Sequence, residues 1–221
     1  MHRHFDDDIQ DLTEMLLRLG ATVEDSIGQS IRALLERDSA LAEKVIAADD
    51  RIDGMELEID EATVELIAKM QPAAVDLRFV AAVMKVTPDL ERIGDLAVDV
   101  CERTLELNRE PLLKPLADLP RLATIAQEMV RQALDSFVHR DSDLARAVIA
   151  RDDEADALTD AIFRELLGYM TSDPASVSRA IRLTFIGKYF ERIADSATNI
   201  CEMVVYLVEG KVIKHARNIG A

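Results

Sequence analysis

Glu91 and Asp95 stand four residues apart in Asp89-Leu90-Glu91-Arg92-Ile93-Gly94-Asp95, and Glu191 and Asp195 repeat that spacing in Tyr189-Phe190-Glu191-Arg192-Ile193-Ala194-Asp195. On a helix, four residues bring side chains back to the same face. Asp99 and Glu102 extend the first pair into a stripe that spans about 80° of helix surface at 100° per residue. Asn199 and Glu202 extend the second. An earlier segment carries a stripe of its own, Asp49, Asp53, Glu56 and Asp60, confined to roughly 60°. The corresponding set in the second half is Asp152, Asp156 and Asp160. Carboxylate oxygens are hard ligands suited to Mg, Ca or Mn, and to iron where they bridge several ions. A single stripe needs no cation, since like charges at i, i+4 cost only about 0.2–0.5 kcal/mol per pair, and Arg92, Arg103 and Arg192 are at hand. Two stripes facing each other across a helix packing distance of about 8–10 Å would gather charge that a multivalent cation relieves. The spacing leaves both a solvated acidic face and a cation site open.

Other chemistry has little footing. His2, His4, His139 and His215 fall outside the stripes, so a histidine-based zinc site is not expected, and His2 and His4 read as an incidental H-x-H. No E-x-x-H, Walker-A loop, G-x-G-x-x-G or G-x-S-x-G occurs, which counts against a di-iron oxidase, a nucleotide site or a nucleophile elbow. The sequence reads as non-enzymatic.

The elements that position these carboxylates come from a duplication. Arg37-Asp38-Ser39 with Leu41-Ala42 returns as Arg140-Asp141-Ser142 with Leu144-Ala145. Val45-Ile46-Ala47 with Asp49, Asp50 and Asp53 returns as Val148-Ile149-Ala150 with Asp152, Asp153 and Asp156. Cys101 and Glu102 return as Cys201 and Glu202. Each copy predicts three long helices, over 5–37, 39–70 and 74–108, then 118–139, 142–171 and 174–209. Ser39 and Ser142 are the expected N-caps, and Pro72 and Pro174 fall where a second helix must stop. Pro88 interrupts a segment whose counterpart keeps its apolar period without proline, so it predicts a kink and not an end. Leu90, Ile93, Ala97, Val100 and Cys101 form the buried side opposite the stripe. Pro111, Pro115 and Pro120 mark a linker. The expectation is an all-α protein of two tandem pseudo-symmetric three-helix bundles, residues 1–110 and 120–221, joined by 111–119, with six long antiparallel helices.

Composition agrees. The chain of 221 residues is 49% hydrophobic but only 4% aromatic with no Trp, so its core must be aliphatic, as in helical packing. A net charge of −16 opposes nucleic-acid binding and docking on anionic lipid. Cys101 and Cys201 are expected as reduced core thiols. Met1-His2-Arg3-His4-Phe5-Asp6-Asp7-Asp8 lacks an apolar stretch, and no apolar run reaches about 18 residues. Neither a signal peptide nor a membrane span is expected, which points to the cytoplasm.

The doubled Leu90-Glu91-Arg92-Ile93-Gly94-Asp95 and Phe190-Glu191-Arg192-Ile193-Ala194-Asp195 resembles the signature of the PhoU family, accessory proteins of phosphate-specific transport and negative regulators of the phosphate regulon. The similarity also takes in Ile200-Cys201-Glu202, Glu209-Gly210-Lys211 and Lys214-His215. The resemblance implies a cytoplasmic, homodimeric or larger adaptor. It would associate with the ATPase subunit of the phosphate ABC transporter and with the phosphate sensor histidine kinase, reaching the membrane only through those partners. It implies multinuclear iron or zinc clusters, one per bundle. Carried over by position, the ligands are Glu91, Asp95 and Asp99, then Glu191, Asp195 and Asn199, completed by Asp49 and Asp53 and by Asp152 and Asp156. The chain departs from the family at Leu96 and Ser196, where a His often follows the motif Asp, and at Asp99, where Asn is frequent. A competing expectation is a metal-binding or metal-storage protein with carboxylate-bridged ions and enzymatic activity of its own. With no basic cluster or Gly-rich anion loop, direct phosphate binding is not expected.

Overall fold

The computed structural model describes residues 2–70, 75–114 and 116–213, and the described residues contain helices and no strands. The helices are α1 (His2–Glu36), α2 (Ser39–Ala47), α3 (Asp49–Met70), α4 (Val75–Leu107), α5 (Asp118–His139), α6 (Ser142–Ser172) and α7 (Val177–Glu209). The six-helix plan holds, with one helix in two pieces. The segment expected as a single helix over 39–70 breaks at Ala48, separating α2 from α3. The second copy runs through the equivalent Arg151, whose guanidinium donates to Gln132 and Glu128 on α5 at 3.0 and 2.9 Å. Ala48 has no side chain with which to anchor the turn in this way.

Matching corners explain why Arg-Asp-Ser occurs twice. Arg37 and Arg140 adopt left-handed backbone, φ 54° and 51°. Behind them the N–H groups of Asp38 and Asp141 donate back to the carbonyls of Ala33 and Ser136, both at 2.9 Å. This pattern closes a helix C-terminus. The next helix starts at once, and its N-cap is the aspartate and not the serine expected from sequence. Asp38 accepts from the N–H of Leu41 at 2.9 Å, and Asp141 accepts from those of Asp143 and Leu144. A carboxylate answers both the free N–H groups and the positive end of the helix, so it displaces the neighbouring hydroxyl.

Pro88 lies within a continuous α4, as its proline-free counterpart suggested. It sits on the exposed side, as does Met84, whose carbonyl loses its helical donor to proline and can turn to water. Pro174 opens a 3-10 turn, Pro174–Ser176, ahead of α7. Pro72 and Pro115 lie outside the described residues.

The first copy packs α1, α2 and α3 with α4, and the second packs α5 and α6 with α7. The copies then join along α4–α7 and α1–α5. One apolar core runs through both, from Leu16, Ile27 and Ile93 to Met129, Phe190 and Ile193, and a small second cluster of Ala33, Leu41, Ala42, Val45 and Cys101 lies beneath α2. Leu90, Ile93, Ala97, Val100 and Cys101 are each fully buried. Cys101 and Cys201 are free and buried, and burial pushes both thiols up to about 12. Among the described residues no helix is long and apolar enough to cross a membrane.

The α4–α7 seam is antiparallel, and ion pairs hold one end of it. Arg182 donates to Glu106 at 2.6 Å and to Glu110 at 3.0 Å, while Arg103 holds the other oxygen of Glu106 at 2.7 Å. Arg37 closes the α4 C-terminus by donating to the carbonyls of Leu107, Asn108 and Glu110 at 3.2, 3.0 and 2.6 Å. Along α1–α5, Gly20 leaves room for Leu134, whose Cδ1 lies 2.4 Å from where a Cβ would sit.

Candidate functional site

The first-copy carboxylates lie where α3 meets α4. Asp49, Asp53 and Glu56 come from α3, and Glu91 and Asp95 from α4. Their helices present them for the reason visible in sequence: Ile52 and Ile59 on α3, and Leu90, Ile93, Leu96 and Ala97 on α4, fill the core. The acids are left at its solvent edge. Asp53 and Asp95 are exposed, whereas Asp49, Glu56 and Glu91 are half-buried.

The two stripes feel each other. Desolvation, then Asp95, Asp53 and Asp50, push the Asp49 carboxyl up to about 6. Desolvation, then Asp95, Glu56, Asp53 and Asp49, push Glu91 up to about 7. Asp95 is raised by desolvation and Asp53, and Glu56 by desolvation, Asp60, Asp53 and Asp95. None of these four groups has a cation among the causes of its shift. Gly94 shapes this face. A Cβ there would lie 2.9 Å from Ile52 Cδ1 and 3.4 Å from Asp49 Oδ1, so the glycine lets the Asp49 carboxylate lie close against α4. Among the described residues, no three of Asp, Glu, His or Cys are already drawn together as an ion's ligands would be.

The second copy brings Asp156, Glu191 and Asp195 together, and the charges of Glu191 and Asp156 raise Asp195 further once desolvation has done so. Here two cations intervene, because Lys188 and Arg92 act to lower the same group. Lys188 also forms an i, i+3 ion pair with Glu191. Asp152 lies half-buried one turn before Asp156.

Two of the expected ligands face the α4–α7 seam. Asp99 is raised by desolvation and Glu102 but flanked by Arg192 and Arg103. Asn199 donates to Asp89 at 3.3 Å and lines an open groove of about 650 Å³ with Pro88, Asp89, Arg92 and Glu202. Leu96 and Ser196, the positions at which the chain departs from the family's frequent His, are both 2% exposed. They point into the core, so the departure removes no donor from either acidic face. Of the second face's two cations, Lys188 and Arg92, the sequence offers only Arg92, as an arginine at hand for the stripes in general. The i, i+3 spacing of Lys188 and Glu191 was a usable signal for the first. Nothing local announces Arg92, which reaches Asp195 from the other copy.

As donors, the first-copy residues fit a hard cation. Their oxygens carry mutual repulsion, and the second copy already places a cation, the Lys188 ammonium, on the equivalent carboxylates. A tandem of three-helix units sharing one core, with acidic i, i+4 pairs on equivalent faces, defines a duplicated helical-bundle protein. The chain matches the PhoU domain over residues 16–104 and again over 119–204, and it belongs to the PhoU family. It is 38% identical to a phosphate-specific transport system accessory protein PhoU homolog of Aquifex aeolicus, over 94% of each chain. It is equally identical to a homolog of the same description in Pseudomonas aeruginosa, over 96% of this chain and 88% of that one. The crystal structure of PhoU from Pseudomonas aeruginosa superimposes with a TM-score of 0.91 at 38% identity, covering 94% of this chain and all of that one. The phosphate transport system regulatory protein PhoU from Streptococcus pneumoniae gives 0.88 at 28% identity, covering 94% and 98%.

Proposed function

We propose that this protein regulates phosphate uptake and the phosphate-starvation response as a cytoplasmic, non-enzymatic adaptor between the phosphate ABC transporter ATPase and its sensor histidine kinase. The observation that carries the reading is the pair of PhoU domains spanning both bundles, in a chain whose relatives are named as accessory proteins of phosphate-specific transport. The architecture suits such a role. One continuous core and an ion-paired seam make the two bundles a stiff unit, and a stiff unit can offer two partners fixed surfaces.

A bound cation is part of the proposal. Glu91, Asp95, Asp49 and Asp53 would hold it, with Glu56 beside them, and it would supply positive charge to a face that otherwise repels itself. That would tie α3 to α4 and set the shape of the surface on offer. Deletion of the gene should leave the starvation response switched on in phosphate-rich medium. Wild-type protein should restore repression. Normal repression in the deletion strain, with no second gene of this family present, refutes the regulatory reading. Metal analysis of the purified protein tests the cation separately.

A further inference from the structure

We propose that the segment 214–221, which lies outside the described residues, docks in the groove between α4 and α7 of its own chain as a basic strap. Its Lys214, His215 and Arg217 would donate to the groove's oxygens, and Ile219 would cover its apolar floor. The strap does not depend on the cation proposed above.

The described chain ends at this groove. Gly210 takes left-handed backbone, φ 70°, and its N–H donates to the Tyr206 carbonyl at 2.9 Å, which closes α7 and turns the chain. Val212 then lines the groove, and Ile213 is half-buried against the core. Along α4 the groove runs from Ala81 to Arg92, about 17 Å of helix. Residues 214–221 span about 26 Å when extended, enough to follow it from end to end.

The chemistry of groove and segment is complementary. Met84 and Pro88 of α4 face Met203 and Tyr206 of α7 across it, and Met84 is exposed although apolar. Pro88 lacks an N–H, so the Met84 carbonyl is an acceptor without its helical donor. Asp89 and Glu202 add carboxylate oxygens. Of the cations lining the groove, Arg92 also acts on Asp195 across the seam, and Lys85 is exposed. The sequence after α7 supplies Lys211, Lys214, His215 and Arg217 with no Asp or Glu, in a chain of net charge −16. Such a segment is attracted to the body that carries it. Because it is tethered, a weak contact suffices to hold it, since attachment sets a high effective concentration. A partner that takes the α4–α7 groove must first lift the strap.

The chain has no Trp, so Ile219→Trp places a single indole in the segment. The full-length variant, its fold checked by circular dichroism, is read by fluorescence. Its emission should be blue-shifted from that of a solvated indole. Met84→Arg, at an exposed position, should abolish that shift and raise acrylamide quenching about threefold or more, the ratio for a strap docked about two-thirds of the time or more. Lys214→Glu with Arg217→Glu should act in the same direction. Phe185→Arg, at the corresponding exposed position of the second copy, should change nothing. An indole as accessible in the Ile219→Trp protein as in solvent would overturn the proposal, as would protection that survives Met84→Arg or is lost equally with Phe185→Arg. Protection that fades on dilution would place the segment in the groove of another molecule and overturn it as well.

Discussion

Substituting Gly94 by alanine probes how closely α3 and α4 approach beneath the first acidic face. The new Cβ would lie 2.9 Å from Ile52 Cδ1 and 3.2 Å from Cγ2. The first atom is a flexible end, but the second sits on the branched carbon and cannot swing away. Overpacking of this kind costs about 1–3 kcal/mol. Alanine in a helix interior returns about 1 kcal/mol relative to glycine. Gly94→Ala should therefore lower stability by up to about 2 kcal/mol, or roughly 2–4 °C of melting temperature per kcal/mol in a chain of this size. The second copy shows the remedy, since Ala194 and Ala155 stand where the first copy has Gly94 and Ile52, and both are fully buried. In an Ile52→Ala background, which itself costs about 2–5 kcal/mol, the obstruction is gone. There Gly94→Ala should stabilise by about 1 kcal/mol. The coupling between the two changes is then about 1–3 kcal/mol, of the size neighbouring core residues show. Thermal and urea melts of the four chelator-treated proteins, followed by circular dichroism, measure it. An identical effect of Gly94→Ala in both backgrounds would refute the steric explanation, and so would full stabilisation in the presence of Ile52.

The two left-handed arginines should answer oppositely to glycine. Arg140→Gly relieves a backbone cost of about 1 kcal/mol and should raise the melting temperature. Arg37→Gly gains the same relief but loses three hydrogen bonds to the α4 C-terminus, where a charged donor contributes about 1.5–3 kcal/mol, and should lower it; equal responses would contradict the capping role. Without metal, Glu91 at about 7 and Asp49 at about 6 hold protons more tightly folded than unfolded. Their contribution to stability is complete below about pH 4 and is lost as pH rises through 6 to 7. Glu91→Gln should thus be more stable than wild type above pH 7 and converge with it near pH 4.5, the ordinary value of a glutamate carboxyl. A gap between the two melting temperatures that does not change with pH would refute this.

Much of the fold was legible because the sequence states it twice. That Pro88 does not end its helix could be read from the proline-free second copy, and the corners at Arg37 and Arg140 repeat to the residue. Misreadings arose where two local solutions were chemically alike. Asp38 and Ser39 both suit an N-cap, and only the backbone path after the left-handed arginine selects the aspartate. The break at Ala48 has no proline or glycine to announce it. It coincides with the absence of the anchoring contacts that Arg151 makes to α5, which are tertiary.

By itself the sequence determined the helices, their apolar faces and the position of each carboxylate on its helix, because residue type and period act within a single element. It also carried the family signature. Only the tertiary structure decided which charges meet. It set Asp49 against Asp95, turned Asp99 and Asn199 towards the seam, sent Leu96 and Ser196 into the core, and brought Arg92 of one copy to Asp195 of the other. Electrostatic interaction depends on distance through space, and for residues a hundred positions apart that distance is set by packing.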